Sequence, residues 1–239
     1  MNTYGYSPYP LAFYLSAIEL LVPELGTQRK PFIVSVAGSP AEVAEAIEKI
    51  SRFGSEKHLQ LLAEINLSCP NITGTAPAGY SPASIRAYVS ALPDRTTRVP
   101  VGLKVPPYTY AEQMRELVRV LETRPDAIDF LTATNTLGNC LYFPPSGSAV
   151  LPQSVQPFLY GALSGPAIHS LALGNVFSLR NLLNEVPSLT DVAIIGAGGV
   201  ADHDAFKRIH AVGADAVGIA TALGWKGVEG LDGILHHRH

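Results

Sequence analysis

Residues Glu64 to Asn71 read Glu-Ile-Asn-Leu-Ser-Cys-Pro-Asn. Two carboxamides, a hydroxyl and a thiol close an apolar stretch that carries Leu62, Ile65 and Leu67. Such a stretch reads as a strand that stops at Pro70 and presents polar groups at its C-terminal end, where α/β proteins do their chemistry. Cys69 is the candidate reactive group: a free thiol ionises at about 8.5, so thiolate is within reach near neutrality. A lone cysteine more often reads as a small buried residue. Its place between Ser68 and Pro70, framed by Asn66 and Asn71, favours chemistry instead. The asparagines offer donor and acceptor in one planar unit. An isolated loop asparagine is usually a turn former, but Asn66 lies within an apolar strand.

Two further groups of residues could bind rather than react. Lys104 interrupts the apolar run Val101 to Val105, and a buried ammonium without a partner is costly. Its alternative is an edge-strand lysine reaching solvent. Gly196-Ala197-Gly198-Gly199 and Ala220-Thr221-Ala222-Leu223 follow the last two apolar runs. Glycines there let backbone N–H groups approach phosphate oxygens, and a helix starting after Gly199 would add its dipole. Ordinary βα turns also use glycine.

The elements that must position these groups alternate along the chain. Strands are expected at Pro31–Gly38, Leu62–Leu67, Val99–Val105, Ile128–Thr132, Val192–Ile195 and Ala216–Ile219. Helices are expected at Ala41–Ile50, Ser81–Leu92, Tyr110–Glu122, Ser170–Val186 and Ala201–Val212, with a short last one within Gly224–Leu235. Ser81 followed by Pro82 is a helix start, and Met114, Leu117, Val118 and Leu121 form one stripe. The repeat of about thirty residues is that of a βα unit. Uniformly apolar strands fit a parallel sheet covered on both faces. The segment 138–165, rich in Pro, Gly and Ser, is an irregular insertion of the kind that is usually functional or contacts a partner.

The bulk properties narrow the class. The 239 residues are 47% hydrophobic and 15% charged, with a net charge of −3. A nucleic-acid partner is not expected, nor is a stretch that spans a bilayer. Two cysteines, Cys69 and Cys140, make no disulfide framework and suit a reducing compartment, so a cytoplasmic location is expected. His236 to His239 invite a metal reading, but a tail without acidic or thiol neighbours is the better one, and no metal is expected.

The octet resembles the active-site segment of the dihydroorotate dehydrogenase family, in its soluble class 1 with a cysteine base. Asn2-Thr3-Tyr4-Gly5-Tyr6, Val101-Gly102-Leu103-Lys104-Val105-Pro106-Pro107 and Thr134-Asn135-Thr136-Leu137-Gly138-Asn139 resemble further family segments, in family order. So do Leu163-Ser164-Gly165 with Ala172–Val176, and the two glycine turns. Each is weak alone; six in order are specific.

The resemblance implies an incomplete (β/α)8 TIM barrel of the FMN-dependent type, about six of its eight strands present, as a single partial domain over 1–239. Family members carry a further N-terminal segment with two strands and a flavin-contacting lysine, and a longer C-terminal helix, so the chain reads as truncated at both ends. The implied function is FMN-dependent oxidation of dihydroorotate to orotate in de novo pyrimidine biosynthesis. Cys69 would be the base, and Asn2, Asn66, Asn71 and Asn135 would bind substrate. Lys104, Thr136, Gly165, Gly198, Gly199 and Thr221 would hold FMN. Residues 72–80, with Gly74 and Gly79 as hinges, resemble a lid over the substrate. Fumarate is one expected electron acceptor and a homodimer the expected assembly. The sequence departs from the family at Ala162, Ser164 and Ala220, which replace glycines, and at His169, which replaces a lysine. The alternatives are another FMN- or phosphate-binding barrel oxidoreductase, or a non-catalytic fragment or paralogue.

Overall fold

The computed structural model describes residues 1, 5–25, 30–69, 76–141 and 160–235. Six parallel strands form one sheet: β1 (Phe32–Val36), β2 (Leu61–Asn66), β3 (Val101–Lys104), β4 (Phe130–Ala133), β7 (Ala193–Ala197) and β8 (Ala216–Gly218), neighbours in that order. Between β4 and β7 in sequence lie β5 (Leu137–Leu141) and β6 (Tyr160–Leu163), paired antiparallel as a separate ribbon. The sheet has two free edges, β1 and β8. It is the curved sheet of a barrel that is not closed.

Helices cover the outer face: α1 (Leu11–Leu21), α2 (Pro40–Lys57), α3 (Pro82–Ala91), α4 (Ala111–Glu122), α5 (His169–Glu185), α6 (His203–Ala211), α7 (Thr221–Lys226) and α8 (Gly230–Leu235). Their starts follow from local chemistry. Ser39 accepts from the Glu42 N–H while the Glu42 carboxylate accepts from the Ser39 N–H, with Pro40 at the first helical position, a reciprocal cap that fixes the entry to α2. Ser81 and Pro82 open α3 as the sequence requires. Asp202 accepts from the Ala205 N–H at 2.7 Å and starts α6. The stripe on α4 is buried, with Val120 added.

Strand residues alternate between two environments. Val34, Ala63, Ile65, Val101, Leu103, Leu131 and Ile194 pack beneath the helices in one apolar core. Ser35, Glu64, Lys104, Thr132 and Ile195 line the opposite, concave face. Period-two alternation therefore separates a core that holds the sheet from a polar face that can hold a ligand.

Four expectations change. Helix α1 was not foreseen, because its exposed faces carry Phe13, Tyr14, Leu20 and Leu21, and only Ile18 is buried. No polar stripe marks it. The insertion at 138–165 is not irregular at its two ends, where Leu141 pairs with Tyr160 and Leu137 with Leu163; residues 142–159 lie outside the described ones. The last helical segment is two short helices, α7 and α8. Finally, α6 begins at His203 and not directly after Gly199. Its Ala205 N–H meets the Asp202 carboxylate, so the helix N-terminus is capped by its own chain. Among the described residues no helix is long and apolar enough to cross a membrane.

Candidate active site at the strand ends

A cavity of about 330 Å³ opens on the concave side of the sheet. It runs from Ser35, Glu64 and Lys104 to the glycine turns after β6 and β7 and to Thr221. Lys104, Asn135, Thr136, Gly165, Gly198, Gly199 and Thr221 all line it, so the residues expected to hold a cofactor share one space. Asn2 and Asn71 lie outside the described residues, as does Gly74.

The amides are organised by strand register. Asn66 on β2 is aligned with Lys104 on β3, and Lys104 with Thr132 on β4. Just beyond, the Asn135 N–H donates to Val105 O and the Thr134 N–H to Ala197 O, which ties the end of β4 to both neighbours. The Asn135 side chain then donates to Ser68 Oγ at 3.0 Å and to Asn66 Oδ1 at 3.4 Å. Its own Oδ1 accepts from the Thr136 N–H. Asn66 Oδ1 also accepts from the Ser68 N–H and hydroxyl. The Asn66 carbonyl oxygen is thus fully engaged, and its NH₂ group makes no hydrogen bond among the described residues. The array presents donors.

Cys69 is buried and free. It stands one residue past the Ser68 hydroxyl that Asn135 holds, but neither Cys69 nor Asn66 lines the cavity. Tyr6, from the first residues of the chain, senses the thiol: partial burial, then the charge at Cys69, then Tyr88 raise its phenol above the ordinary range. Gly79 is no hinge. Its N–H donates to Leu67 O and its carbonyl accepts from the Tyr108 hydroxyl, both at 2.8 Å. A Cβ there would come within 2.4 Å of the Pro106 ring, so glycine is required by close packing. Burial holds the Tyr108 phenol well above its usual range, which keeps it a donor.

Two tests on the structure support a phosphorylated, polar cofactor. Gly165, Gly198 and Gly199 all have positive φ, and a Cβ at Gly199 would stand 2.7 Å from Gly165 O. A Cβ at Gly165 would meet the Thr221 methyl at 3.2 Å. The turns after β6 and β7 and the start of α7 therefore converge, with bare backbone facing the cavity. In addition, the buried hydroxyls of Thr134 and Ser164 line the cavity and have no hydrogen-bond partner among the described residues. Unpaired buried hydroxyls are uncommon in native structures and mark places where a ligand supplies the partner.

Three features escaped the sequence reading. Glu64, on the same strand face as Asn66, accepts from Ser35 Oγ at 2.9 Å and Thr132 Oγ1 at 2.6 Å. A carboxylate inside an apolar strand was the available signal, since burial demands partners. Thr134 stood within a quoted motif but only its neighbours were assigned roles. Ser164, a departure from glycine, brings one of the two unpaired hydroxyls.

Comparison with known proteins agrees with this geometry. The dihydroorotate dehydrogenase family profile matches residues 1–237. A dihydroorotate dehydrogenase (fumarate) of Trypanosoma brucei brucei is 32% identical over 225 residues, 93% of this chain and 67% of that protein. A probable dihydroorotate dehydrogenase A (fumarate) of Streptococcus pneumoniae is 29% identical over 99% of this chain and 70% of its own length. The crystal structure of Eimeria tenella DHODH in complex with ferulenol superposes with a TM-score of 0.61 at 21% identity, over 84% of this chain and 53% of that one. The chain thus spans about two thirds of these curated relatives and about half of that solved structure. On the extent of the profile match and the identity to its relatives, the chain belongs to the dihydroorotate dehydrogenase family.

Proposed function

We propose that the chain binds FMN in the cavity and oxidises dihydroorotate to orotate. The observation that carries this reading is the convergence, in one cavity, of the Asn135 amide, the Lys104 ammonium, three glycines with positive φ and two unpaired buried hydroxyls. When bound, FMN supplies a hydride acceptor for C6 of the substrate. The rest falls to the chain. The C5 proton is α to a ring carbonyl, weakly acidic, and needs a positioned base; Cys69 as thiolate takes it. Asn66 and Asn135, together with Asn2 and Asn71, hold the alternating polar edge of the ring. Lys104 brings positive charge to the cofactor and favours its anionic reduced form. Gly165, Gly198, Gly199 and Thr221 hold the phosphate, and Thr136 packs beside the ring system.

Fumarate is the acceptor we propose, because the curated relatives carry it in their names. Two free cysteines suit the cytoplasm. The open sheet favours a second reading, a flavin-binding chain without turnover. One titration separates the two. Protein loaded with FMN should be yellow and should bleach with dihydroorotate under anaerobic conditions, then regain colour with fumarate. Bleaching by uracil-type compounds alone would point to another pyrimidine oxidoreductase. Uptake of FMN without bleaching would select the second reading, and no uptake would end both.

A further inference from the structure

His169, the first residue of α5, is 8% exposed and unused by the proposed chemistry. Its Nδ1 lies 2.8 Å from Gly198 O, and Arg208 Nε lies 3.3 Å from its Nε2. A carbonyl only accepts and a guanidinium only donates. Nδ1 therefore carries the ring proton and Nε2 is the acceptor, so the imidazole is neutral with its tautomer fixed from both sides. The carbonyl it holds belongs to the peptide whose N–H is that of Gly199. That N–H has no acceptor among the described residues and lies in the glycine turn that lines the cavity.

We propose that His169 is a positioning residue for the cofactor phosphate, transmitting the charge of Arg208 through the Gly198–Gly199 peptide to the phosphate-binding N–H. Linked hydrogen bonds polarise one another. Donation into the Gly198 carbonyl strengthens the Gly199 N–H as a donor, and the guanidinium behind the ring strengthens the His169 N–H in turn. The same contact fixes the turn, because Gly199 packs directly on His169: a Cβ at Gly199 would lie 2.8 Å from that of His169. Since α6 caps itself with Asp202, this relay supplies the positive field that a helix N-terminus would otherwise give.

This inference rests on the proposed flavin site, and its test separates the two. Flavin-free protein is titrated with FMN and with riboflavin, which lacks the phosphate, following quenching of flavin fluorescence. The wild-type chain should prefer FMN. His169→Leu should weaken FMN about tenfold and leave riboflavin unchanged, because the Gly199 N–H loses the polarisation that strengthens its bond to phosphate. His169→Asn, which keeps a donor near the Nδ1 position, should restore most of the preference. Arg208→Met, at an exposed position, should weaken FMN several-fold and spare riboflavin. Equal losses for both flavins in His169→Leu, or an unchanged FMN affinity in Arg208→Met, would overturn the relay. If His169→Leu does not fold, Arg208→Met decides alone. A wild-type chain that takes neither flavin would remove the flavin site itself, and the relay with it.

Discussion

Asn135, just past the end of β4, donates its side-chain amide to the Ser68 hydroxyl, just past the end of β2, at 3.0 Å. The two strands are not neighbours: β3 runs between them. The bond therefore bridges over β3 and fixes, from the far side, the residue that precedes Cys69. In the proposed reaction, this bond would link substrate recognition to placement of the base. Asn135→Ala should leave FMN uptake near that of the wild type and slow dihydroorotate-driven flavin reduction by about a hundredfold, a loss of about 2.7 kcal/mol of transition-state stabilisation. Stopped-flow absorbance of the flavin measures it. Reduction at the wild-type rate would take Asn135 out of the substrate site.

Cys69→Ser tests the base directly. A serine hydroxyl is far less acidic than a thiol, so at neutral pH almost none is ionised. Flavin should still bind, and reduction by dihydroorotate at pH 7 should fall by at least about a thousandfold, at the upper part of the range for removing a general base. Retained turnover would assign the proton transfer to another group.

Much of this was legible before any coordinates, for reasons that particular residues make clear. Ser81-Pro82 and the Met114–Leu121 stripe are local signals that tertiary packing had no cause to override, and both helices lie where the sequence puts them. The six parallel strands were legible because each is a mostly apolar run, broken on the concave face only by single polar residues such as Ser35, Glu64, Lys104 and Thr132. Helix α1 was not, since its aromatic residues Phe13 and Tyr14 stay exposed and blur the period. The ribbon β5–β6 was hidden because Leu137 and Leu163 meet only across a long connection. In the site, Lys104 and the glycines carried chemical signals of their own. Glu64 offered only a carboxylate within an apolar strand, and the roles of Glu64 and His169 stayed hidden because their partners lie 29 to 68 residues away.

Glu64 gives a stability prediction. Its two carboxylate oxygens accept from Ser35 and Thr132, one each, on the neighbouring β1 and on β4. Thr132→Val keeps the shape and deletes one donor, leaving a buried charged oxygen unsatisfied. The expected loss is roughly 1–3 kcal/mol, read from urea denaturation of the flavin-free chain. Adding Glu64→Gln should recover part of it, since an uncharged amide tolerates the missing donor better. If the second substitution deepens the loss, the carboxylate has another role in the folded state.

Strand β1 closes one side of the sheet with a single neighbour, and Ile33 on it is 45% exposed on the concave face. Unpaired strand edges with apolar side chains invite pairing with another chain. The chain should therefore associate with rising concentration, and Ile33→Lys should shift the onset upward several-fold in light scattering. Unchanged onset would place the association elsewhere, with the exposed aromatics of α1 as the next surface to alter.

Asp129, directly before β4, separates an interior ion pair from a surface one on a single carboxylate. Its Oδ2 accepts from Arg98 and from the Val101 N–H, both at 2.8 Å, and the Arg98 side chain is 1% exposed while also donating to the carbonyls of Val99, Asp126 and Ala127. Its Oδ1 accepts from Arg95, which is 60% exposed. Removing the carboxylate strands the Arg98 guanidinium among neutral carbonyls. Asp129→Ala should cost roughly 3–5 kcal/mol, as breaking a buried pair does. Arg95→Ala removes only a solvent-screened partner and should cost under about 1 kcal/mol. Arg98→Met, which removes the buried charge together with its demand, should fall between them. Thermal melts of the three variants order these effects. A loss for Asp129→Ala no larger than that for Arg95→Ala would mean that Arg98 reaches water when its partner is gone, and that the start of β4 is held by backbone pairing alone.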